Sequence, residues 1–396
     1  MNRDMCMTLV RYWLWLVLLS GTANCQLLAQ PAKIIGLMAV RNEAPIVANA
    51  LRALALYTDA IIVLDDASQD DTVAVLKSLQ VECKISEIIE KTVWHRDEPG
   101  DKNRLLQAGR ALGGTHFIMI DADEVFTANL LENGLLRQKI LALQPGDKLS
   151  VTWINLWRSP DQYRYDSSVW SGGEVDAAFC DDGACFYDSE FIHTPRTPQN
   201  LKGQKYDLVV DDQDFTLLNQ VLADPKVSLL NGNRRNKCRN NVQLQRCLYD
   251  FLVHRQRPLA TAAAYCRSHF YELNGKSFVG CYRRDFTVGL MHFQFVNWQN
   301  LLIKQAWYRC LEKIRNPQVD VIKLNRVYGE SKREKDLQCL PVRPEWYAGY
   351  ANFFDKMVYL KVQSQYQPQV LNWFQQYGRE FFRDLDIWDI TWPAPA

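Results

Sequence analysis

The stretch Phe117-Ile118-Met119-Ile120-Asp121-Ala122-Asp123-Glu124 decides the fold of this 396-residue chain. It is a short apolar run that ends abruptly in three carboxylates. An apolar run of this length predicts a buried strand of a parallel sheet. Acidic side chains at its carboxyl end would lie at the edge where open α/β sheets bind ligands. On a continuing strand, Asp121 and Asp123 would face the same side and could share a hard divalent cation.

Earlier apolar runs follow the same plan and alternate with segments of helical periodicity. The predicted strands lie at 33–40, 60–64 and 85–89, and the predicted helices at 46–55, 73–79 and 102–112. Such an alternation predicts an α/β fold with a mostly parallel sheet and flanking helices. Gly113-Gly114 suits the carboxyl end of the third helix, where a left-handed residue is common.

Polar residues stand where these strands end. Arg41-Asn42-Glu43 follows the first strand, Asp65-Asp66 ends the second, and Arg104 comes soon after the third. Because the carboxyl ends of parallel strands share one edge of the sheet, we expect these residues to converge on Asp121 and Asp123.

The second half of the chain has a different character. Strand-like runs lie at 149–157 and 288–295, and they are separated by a probable insertion at 203–285. Residues 231–284 hold eleven Lys and Arg against two acidic residues, together with four cysteines. Such a surface could contact a membrane or a polyanion, and it could equally be a solvated basic face.

Helical periodicity returns in the last hundred residues. We predict helices at 301–314, 347–363 and 368–382, so that 301–396 forms a helical C-terminal extension. The expected organisation is a leader at 1–30, one α/β domain at 31–300 and this extension.

The N-terminus resembles a secretory signal peptide. Arg3 and Arg11 flank an apolar core at 12–19, and small residues follow at 20–23. The core is too short to span a bilayer, which needs about 20 apolar residues. We therefore expect a secretory-pathway, periplasmic or membrane-associated protein. The alternatives for the segment are a membrane-surface anchor and a misassigned start codon, and the alternative location is cytoplasmic.

The overall composition is that of an ordinary globular protein. Hydrophobic residues make up 47% and charged residues 23% of the chain, and the net charge is +1. This balance excludes a largely disordered chain, and we expect no specific nucleic-acid partner. The eleven cysteines show no zinc-module spacing, and both disulfides and free thiols stay open.

The chain resembles the family-2 glycosyltransferases, which have the GT-A nucleotide-sugar fold. The resemblance rests on three blocks in this order: Val40-Arg41-Asn42-Glu43, Val63 to Thr72 with Asp65-Asp66, and Ile120-Asp121-Ala122-Asp123. It covers about residues 33–130. The resemblance implies a metal-dependent transferase that uses a nucleoside-diphosphate sugar, with UDP as the expected nucleotide and inversion as the expected stereochemistry.

The resemblance also implies a set of donor-binding residues. Asp65 or Asp66 would accept a hydrogen bond from the nucleobase, in a pocket lined by Arg41-Asn42-Glu43. Arg104 would meet the diphosphate, where a guanidinium fits well. Asp121 would face the ribose or the metal.

The implied metal site takes Mg²⁺ or Mn²⁺. Asp123 would ligate the ion where it bridges the diphosphate. His292, on a late predicted strand, would complete the site, and His193 competes for that role. Either histidine could instead be an ordinary buried side chain.

An inverting transfer needs a general base beside the acceptor hydroxyl. Asp188 and Glu190 are our first choice, and Asp211, Asp212 and Asp214 are the second. A solvated acidic loop explains either set equally well. The acceptor itself, whether glycan, lipid or protein, has no sequence signal.

Two other functions are compatible with the pattern. A sugar-phosphate nucleotidyltransferase shares the alternating fold, but it would want glycines after the first strand, where Arg41-Asn42-Glu43-Ala44-Pro45 has none. A catalytically degenerate sugar- or polyanion-binding protein is the other alternative.

Overall fold

The apolar runs of the N-terminal region form adjacent parallel strands in the computed structural model. These are β1 (Ile34–Val40), β2 (Ala60–Asp65), β3 (Ile85–Glu90) and β4 (His116–Met119). Val40 pairs with Asp65, and Leu37 pairs with Met119. The strands therefore end near one edge of the sheet, as the sequence predicted.

The structure describes residues 31–165, 170–171, 173–189, 193–208, 288–334, 337–362 and 366–392. The leader at 1–30 and most of the predicted insertion, residues 209–287, lie outside these ranges. Among the described residues, no helix combines the length and apolar character that crossing a bilayer requires. The described residues from 33 onward form one compact unit.

The central sheet continues beyond β4 with strands from the middle of the chain. The further strands are β5 (Glu124–Phe126), β6 (Lys148–Asn155), β7 (Gln162–Arg164), β8 (Gly173–Cys180), β9 (Lys205–Asp207), β10 (Leu290–His292) and β11 (Cys339–Pro341). The strand order is β3-β2-β1-β4-β8-β6-β10-β5, β9 joins β6, and β7 and β11 form a separate pair. Antiparallel pairing is confined to β4–β8, β6–β8 and β5–β10 within the described part of this sheet. The predicted mostly parallel sheet is confirmed.

Helices flank the sheet and make up the C-terminal region. They are α1 (Val47–Ala55), α2 (Thr72–Ser78), α3 (Glu98–Ala111), α4 (Leu135–Leu141), α5 (Trp298–Arg315), α6 (Val321–Tyr328), α7 (Glu345–Ala348), α8 (Val358–Lys361) and α9 (Tyr366–Tyr377). Short 3₁₀ segments lie at Ala128–Gly134, Glu330–Lys332 and Arg379–Phe382.

Two predicted C-terminal helices are wrong in extent. The segment 347–363 contains the end of α7 and all of α8 with turns between them. Asn49 bonds the backbone carbonyl of Asp355 (2.8 Å) and holds this part of the chain out of a continuous helix. The segment 368–382 breaks at Gly378, whose φ of +78° is incompatible with a helix.

Helix α3 starts four residues earlier than predicted. The side chain of Asp97 accepts a hydrogen bond from the Gly100 amide (3.1 Å) and caps the helix, and Pro99 suits the first turn. The predicted carboxyl end is confirmed, since Gly113 has a φ of +75°. This earlier start makes Lys102 part of the second turn of the helix.

Apolar clusters cover both faces of the sheet. One face packs on α1 and α4, and the other packs on α3 through Leu105 and Leu106. A third cluster joins α5, α6 and α9, and it includes Trp94 from the loop between β3 and α3. The C-terminal helices are therefore fastened beside the edge of the sheet where the strands end.

Candidate active site

The acidic motif lies in the turn after β4, at the edge where β1 and β2 also end. His292, which comes much later in the sequence, is brought to the motif by β10, which pairs with both β5 and β6. In that register His292 lies opposite Glu124 on one side and Asn155 on the other. The backbone amide of Phe293 also donates to the carbonyl of Asp123 (2.9 Å). A strand 170 residues away in sequence is thus anchored against the motif.

His292 and Asp123 face each other as a possible pair of metal ligands. The His292 Nε2 atom is 3.7 Å from the Asp123 Oδ2 atom. The Nδ1 atom of the same ring is 2.9 Å from the Asn155 side-chain oxygen, which can only accept. Nδ1 therefore carries the proton and Nε2 keeps its lone pair toward Asp123. Burial lowers the pKa of His292 to about 4, which keeps the imidazole neutral.

Arg196 forms an ion-pair network with the motif, in which Glu124 is buried and Asp121 is exposed, and sequence reasoning missed it. Its guanidinium bonds both carboxylate oxygens of Glu124, lies 2.9 Å from the Asp121 Oδ2 atom, and stacks over Trp153. Burial disfavours a charged Asp121, but Arg196 and Lys102 outweigh that effect and hold its pKa below the usual range. The residue lies in an irregular loop, and no periodic or motif signal marks it.

Helix α3 supplies a lysine to the site in place of the predicted arginine. Arg104 is exposed and does not line either of the large cavities described below. Lys102 is buried, lines the cavity beside Asp121, and donates to the backbone carbonyls of Thr194 (2.6 Å) and Pro195 (3.2 Å). The two residues are two positions apart, which turns their side chains to nearly opposite sides of the helix. Lys102 therefore also anchors the loop that carries Arg196.

The two aspartates at the end of β2 have different surroundings. Asp65 is buried and accepts a hydrogen bond from the Ser68 amide (3.0 Å), which stabilises the turn. Asp66 lines the cavities, and its carboxylate forms an ion pair with Lys91 (2.6 Å), which also pairs with Asp101 (2.8 Å). Of the pair predicted to meet a nucleobase, Asp66 is the one that faces open space.

The residues after β1 shape the same rim. Arg41 donates to the backbone carbonyls of Asp66 and Ala67, and its guanidinium lies 5.0 Å from the ring centre of Trp94. Asn42 has a left-handed φ of 52°, and its amide donates to the Ser68 hydroxyl (2.8 Å). Both residues thus tie the first loop to the second.

Glu43 reaches deeper, toward the metal motif. It lines the cavity that contains Asp123, and its backbone amide donates to the Thr72 hydroxyl (2.8 Å). Burial, and then the charge of Asp123, raises the pKa of Glu43 to about 8.

Two large cavities lie along this edge. The first has a volume of about 580 Å³ and contains the metal motif, Arg196 and His292. The second, of about 1000 Å³, lies against the loops after β1 and β2 and against aromatic side chains of the loop after β3 and of the C-terminal helices. They share the lining residues Arg41, Asp66, Glu98, Asp101, Tyr308 and Tyr366. All the predicted donor-binding residues except Asp65 and Arg104 therefore line one or both of these adjoining cavities.

Asp188, one of the two first-choice general bases, does not lie in these cavities. Asp188 is exposed and lines neither large cavity, and its backbone amide donates to Gln199 (3.0 Å). Glu190 and the second-choice residues Asp211, Asp212 and Asp214 lie outside the described residues. The role of all five stays a prediction.

His193 lies in the first cavity but away from the pair formed by Asp123 and His292. Its Nε2 atom is 3.4 Å from the Tyr328 hydroxyl, which in turn donates to Glu312. The ring also packs against Tyr308. Its contacts within the described residues are with tyrosines, so the geometry favours His292 as the histidine of the metal site.

A second acidic group lies on the loop after β8. Asp181, Asp182 and Cys185 offer ligand atoms within 4.8 Å of one another. Arg110, however, makes two hydrogen bonds to the Asp181 carboxylate (2.7 and 2.8 Å), and Asp182 caps the backbone amides of the turn. These contacts account for the cluster as a loop-stabilising feature.

Comparison with known proteins agrees with the motif positions. Residues 37–139 match the model of Glycosyl transferase family 2. This segment contains the second half of β1, strands β2 to β5 and the acidic motif, whereas Arg196, His292 and the C-terminal helices lie outside it.

Solved structures show weaker similarity. The Staphylococcus aureus protein TarS is 13% identical, and the match covers 62% of this chain and 54% of that chain with a TM-score of 0.28. A structure of TarS 1–349 in complex with UDP is 11% identical over 63% of this chain and 89% of that chain, with a TM-score of 0.27. The mannosyltransferase PcManGT from Pyrobaculum calidifontis, in complex with GDP-Man and Mn²⁺, is 16% identical over 61% and 76%, with a TM-score of 0.28. Similarity at this level does not bear on donor or acceptor.

Proposed function

We propose that this chain, a glycosyltransferase identified as family 2 by residues 37–139, is a metal-dependent enzyme that transfers a sugar from a UDP-sugar. The observation that supports the proposal is the convergence of Asp66, Asp121, Asp123 and His292 on the walls of one cavity. These residues come from the ends of β2, β4 and β10, so the fold rather than sequence proximity assembles them.

The nucleoside is proposed to bind in the larger cavity, with Asp66 toward the base. A carboxylate only accepts hydrogen bonds. It therefore suits a base edge that carries an N–H group, as uracil does, and it disfavours cytosine, whose matching ring nitrogen is an acceptor. The ion pair with Lys91 (2.6 Å) holds the Asp66 carboxylate in place.

Asp123 and His292 are the residues proposed to hold the metal ion. Their ligand atoms face each other, and Asn155 sets the imidazole tautomer that binding requires. Two protein ligands leave coordination positions for diphosphate oxygens and water, which is usual for metals that bind with a nucleotide. An ion held by Asp123 and His292 would supply positive charge that offsets the charge of the departing nucleoside diphosphate. An imidazole ligand favours Mn²⁺ over Mg²⁺, which prefers oxygen ligands.

Calorimetric titration with UDP tests the proposal. We expect UDP to bind in the presence of Mn²⁺, and we expect Asp123→Ala to reduce the affinity to the level seen without metal. Asp384→Ala changes an exposed carboxylate of the C-terminal tail and serves as the matched control. Absence of UDP binding, or binding that neither Mn²⁺ nor Asp123→Ala alters, would overturn the proposal.

A screen of nucleotide-sugars for slow hydrolysis would then identify the sugar. The proposal includes inversion at the anomeric carbon, which proton NMR of the released sugar reports directly. A product that keeps the donor's anomeric configuration would contradict inversion while leaving the donor assignment intact.

A further inference from the structure

One face of α5 is turned toward the donor cavities. Lys304 follows Asn300 by four residues and Leu301 by three, Tyr308 follows Lys304 by four, and all of them line a cavity of this edge. Residues at such spacings lie on one face of a helix. The helix belongs to the C-terminal region, beyond the segment 37–139 that matches the family. This region therefore contributes directly to the walls around the metal motif.

Lys304 is the cationic residue on this face. It is half-buried and lines the 580 Å³ cavity together with Asp121, Asp123 and Arg196. A small adjoining cavity of about 40 Å³ is lined by Lys304, Glu43 and Asp123 as well. Burial disfavours its charge, but the tyrosine hydroxyls and carboxylates around it, among them Tyr366, Asp123 and Glu43, raise the pKa of Lys304. The side chain therefore stays charged at neutral pH.

The ammonium group has no close partner within the described part of the chain. Ion pairs engage Lys91 and Arg196, and Lys102 donates to backbone carbonyls, whereas no described carboxylate lies within 4.0 Å of the Lys304 nitrogen. Taking a charge out of water without a partner is costly, and an anionic ligand would repay that cost. A lysine placed as a point charge is a common phosphate-binding residue.

We infer that Lys304 binds the diphosphate of the donor, so that the C-terminal helical region completes the nucleotide site. The inference rests on the proposed function and adds a binding residue outside the family segment. The ligand class follows from the cavity, because the acidic motif, Asp66 and Lys304 border the same space. In this cavity the base would meet Asp66, and the phosphates would lie between the acidic motif and Lys304.

A different explanation is that Lys304 only balances the charge of Asp123. The two explanations predict different effects on UDP binding when the charge of Lys304 is removed. Removing a cation beside Asp123 should make the motif attract Mn²⁺ more strongly, since like charges repel across a poorly solvated site. If Lys304 also binds phosphate, the same change should weaken UDP binding. General damage to the site would weaken both.

The test uses Lys304→Met in the full-length protein, with UDP, uridine and Mn²⁺ titrated separately. Loss of one charge-assisted contact should lower the affinity for UDP by roughly ten- to hundredfold. The affinity for uridine, which lacks phosphates, should be unchanged, and Mn²⁺ alone should bind as tightly or more tightly. Lys304→Arg should retain part of the UDP affinity.

Lys313→Met is the matched control. Lys313 is a half-buried lysine of the same helix, and it donates to the carbonyl of Pro317 (2.7 Å) away from the cavities. Equal UDP affinity of Lys304→Met and wild type would overturn this inference alone. A parallel loss of UDP, uridine and Mn²⁺ binding with a lower melting temperature would also overturn it. If wild-type protein binds neither UDP nor GDP, the proposed function fails first and the inference with it.

Discussion

Asn155 shows how a single uncharged residue can orient the imidazole of His292, the proposed metal ligand. Its side-chain oxygen accepts from His292 Nδ1, and its amide nitrogen donates to the backbone carbonyl of Trp170 (2.8 Å). These two bonds fix which way the amide points and, through it, which imidazole nitrogen is free. Trp153 stacks on the same ring at 4.6 Å and restricts its rotation.

We predict that Asn155→Ala weakens Mn²⁺ binding by about ten- to hundredfold, the usual effect of losing a residue that orients a ligand. Titration of Mn²⁺ in the absence of nucleotide measures this directly. The melting temperature should fall as well, because a buried polar contact costs about 1–3 kcal/mol when one partner is removed. Asn155→Asp keeps the acceptor and should retain most of the affinity. Unchanged Mn²⁺ binding in Asn155→Ala would show that His292 does not ligate the metal.

Arg196 shows how one charged residue gives neighbouring carboxylates different roles. It holds Asp121 and Glu124 together, so two of the three carboxylates in the opening motif serve an ion pair. The remaining carboxylate, Asp123, is the one that meets His292. The sequence presents three equivalent acids, and their different partners give them different roles.

At the scale of elements, α3 and β10 determine which side chains reach the site. The N-cap at Asp97 starts α3 early and places Lys102 on its buried face. Strand β10 has only three residues, yet it pairs on both sides and delivers His292 to the motif. Helix α5 is capped by Asn297, whose side chain accepts from the Asn300 amide (3.0 Å), and begins three residues before its predicted start.

We expect Asp97→Ala to destabilise the protein by about 1 kcal/mol, the typical value for losing an N-cap. Because the first turn of α3 would fray, Lys102 should hold the Arg196 loop less firmly. Chemical denaturation measures the change in the free energy of unfolding. Asp97→Asn keeps a capping oxygen and should cost much less. Equal destabilisation by both substitutions would mean that the charge of Asp97, rather than its cap, is what matters.

At the scale of the whole molecule, the C-terminal region is packed into the core of the sheet. Trp346 is fully buried in the cluster that covers one face of the sheet. The Tyr350 hydroxyl bonds the Tyr57 hydroxyl (2.7 Å) and the carbonyl of Phe126 (2.8 Å). The predicted domain boundary at residue 300 remains a prediction, and these contacts suggest how to test it.

Trp346→Ala is predicted to lower the free energy of unfolding by about 3–5 kcal/mol, as for other buried tryptophans. The unfolding transition should stay single, because residues on both sides of position 300 share this core. Calorimetry of the wild type and the variant measures both quantities. Trp388→Ala, at a position that is 39% exposed, is the control and should cost much less. Two separate transitions, with only one shifted by Trp346→Ala, would instead establish an independent C-terminal domain.

The sequence by itself determined the donor edge of the sheet. Strands β1, β2 and β4 are apolar runs of a recognisable length, and parallel strands must end at one edge, so Arg41, Asp66, Asp121 and Asp123 could be placed together without coordinates. His292 was placed with them through the family resemblance. These assignments depend on periodicity and local order, which a linear sequence contains.

The tertiary structure alone decided the roles of Arg196, Lys102 and Lys304. Arg196 meets Asp121 from 75 residues away, and Lys304 reaches the same cavity from a helix beyond the family segment. Contacts over such separations arise from how the sheet and helices pack, and they leave no period or spacing in the chain. The opening stretch thus predicted where the chemistry lies, while packing determined which charges surround it.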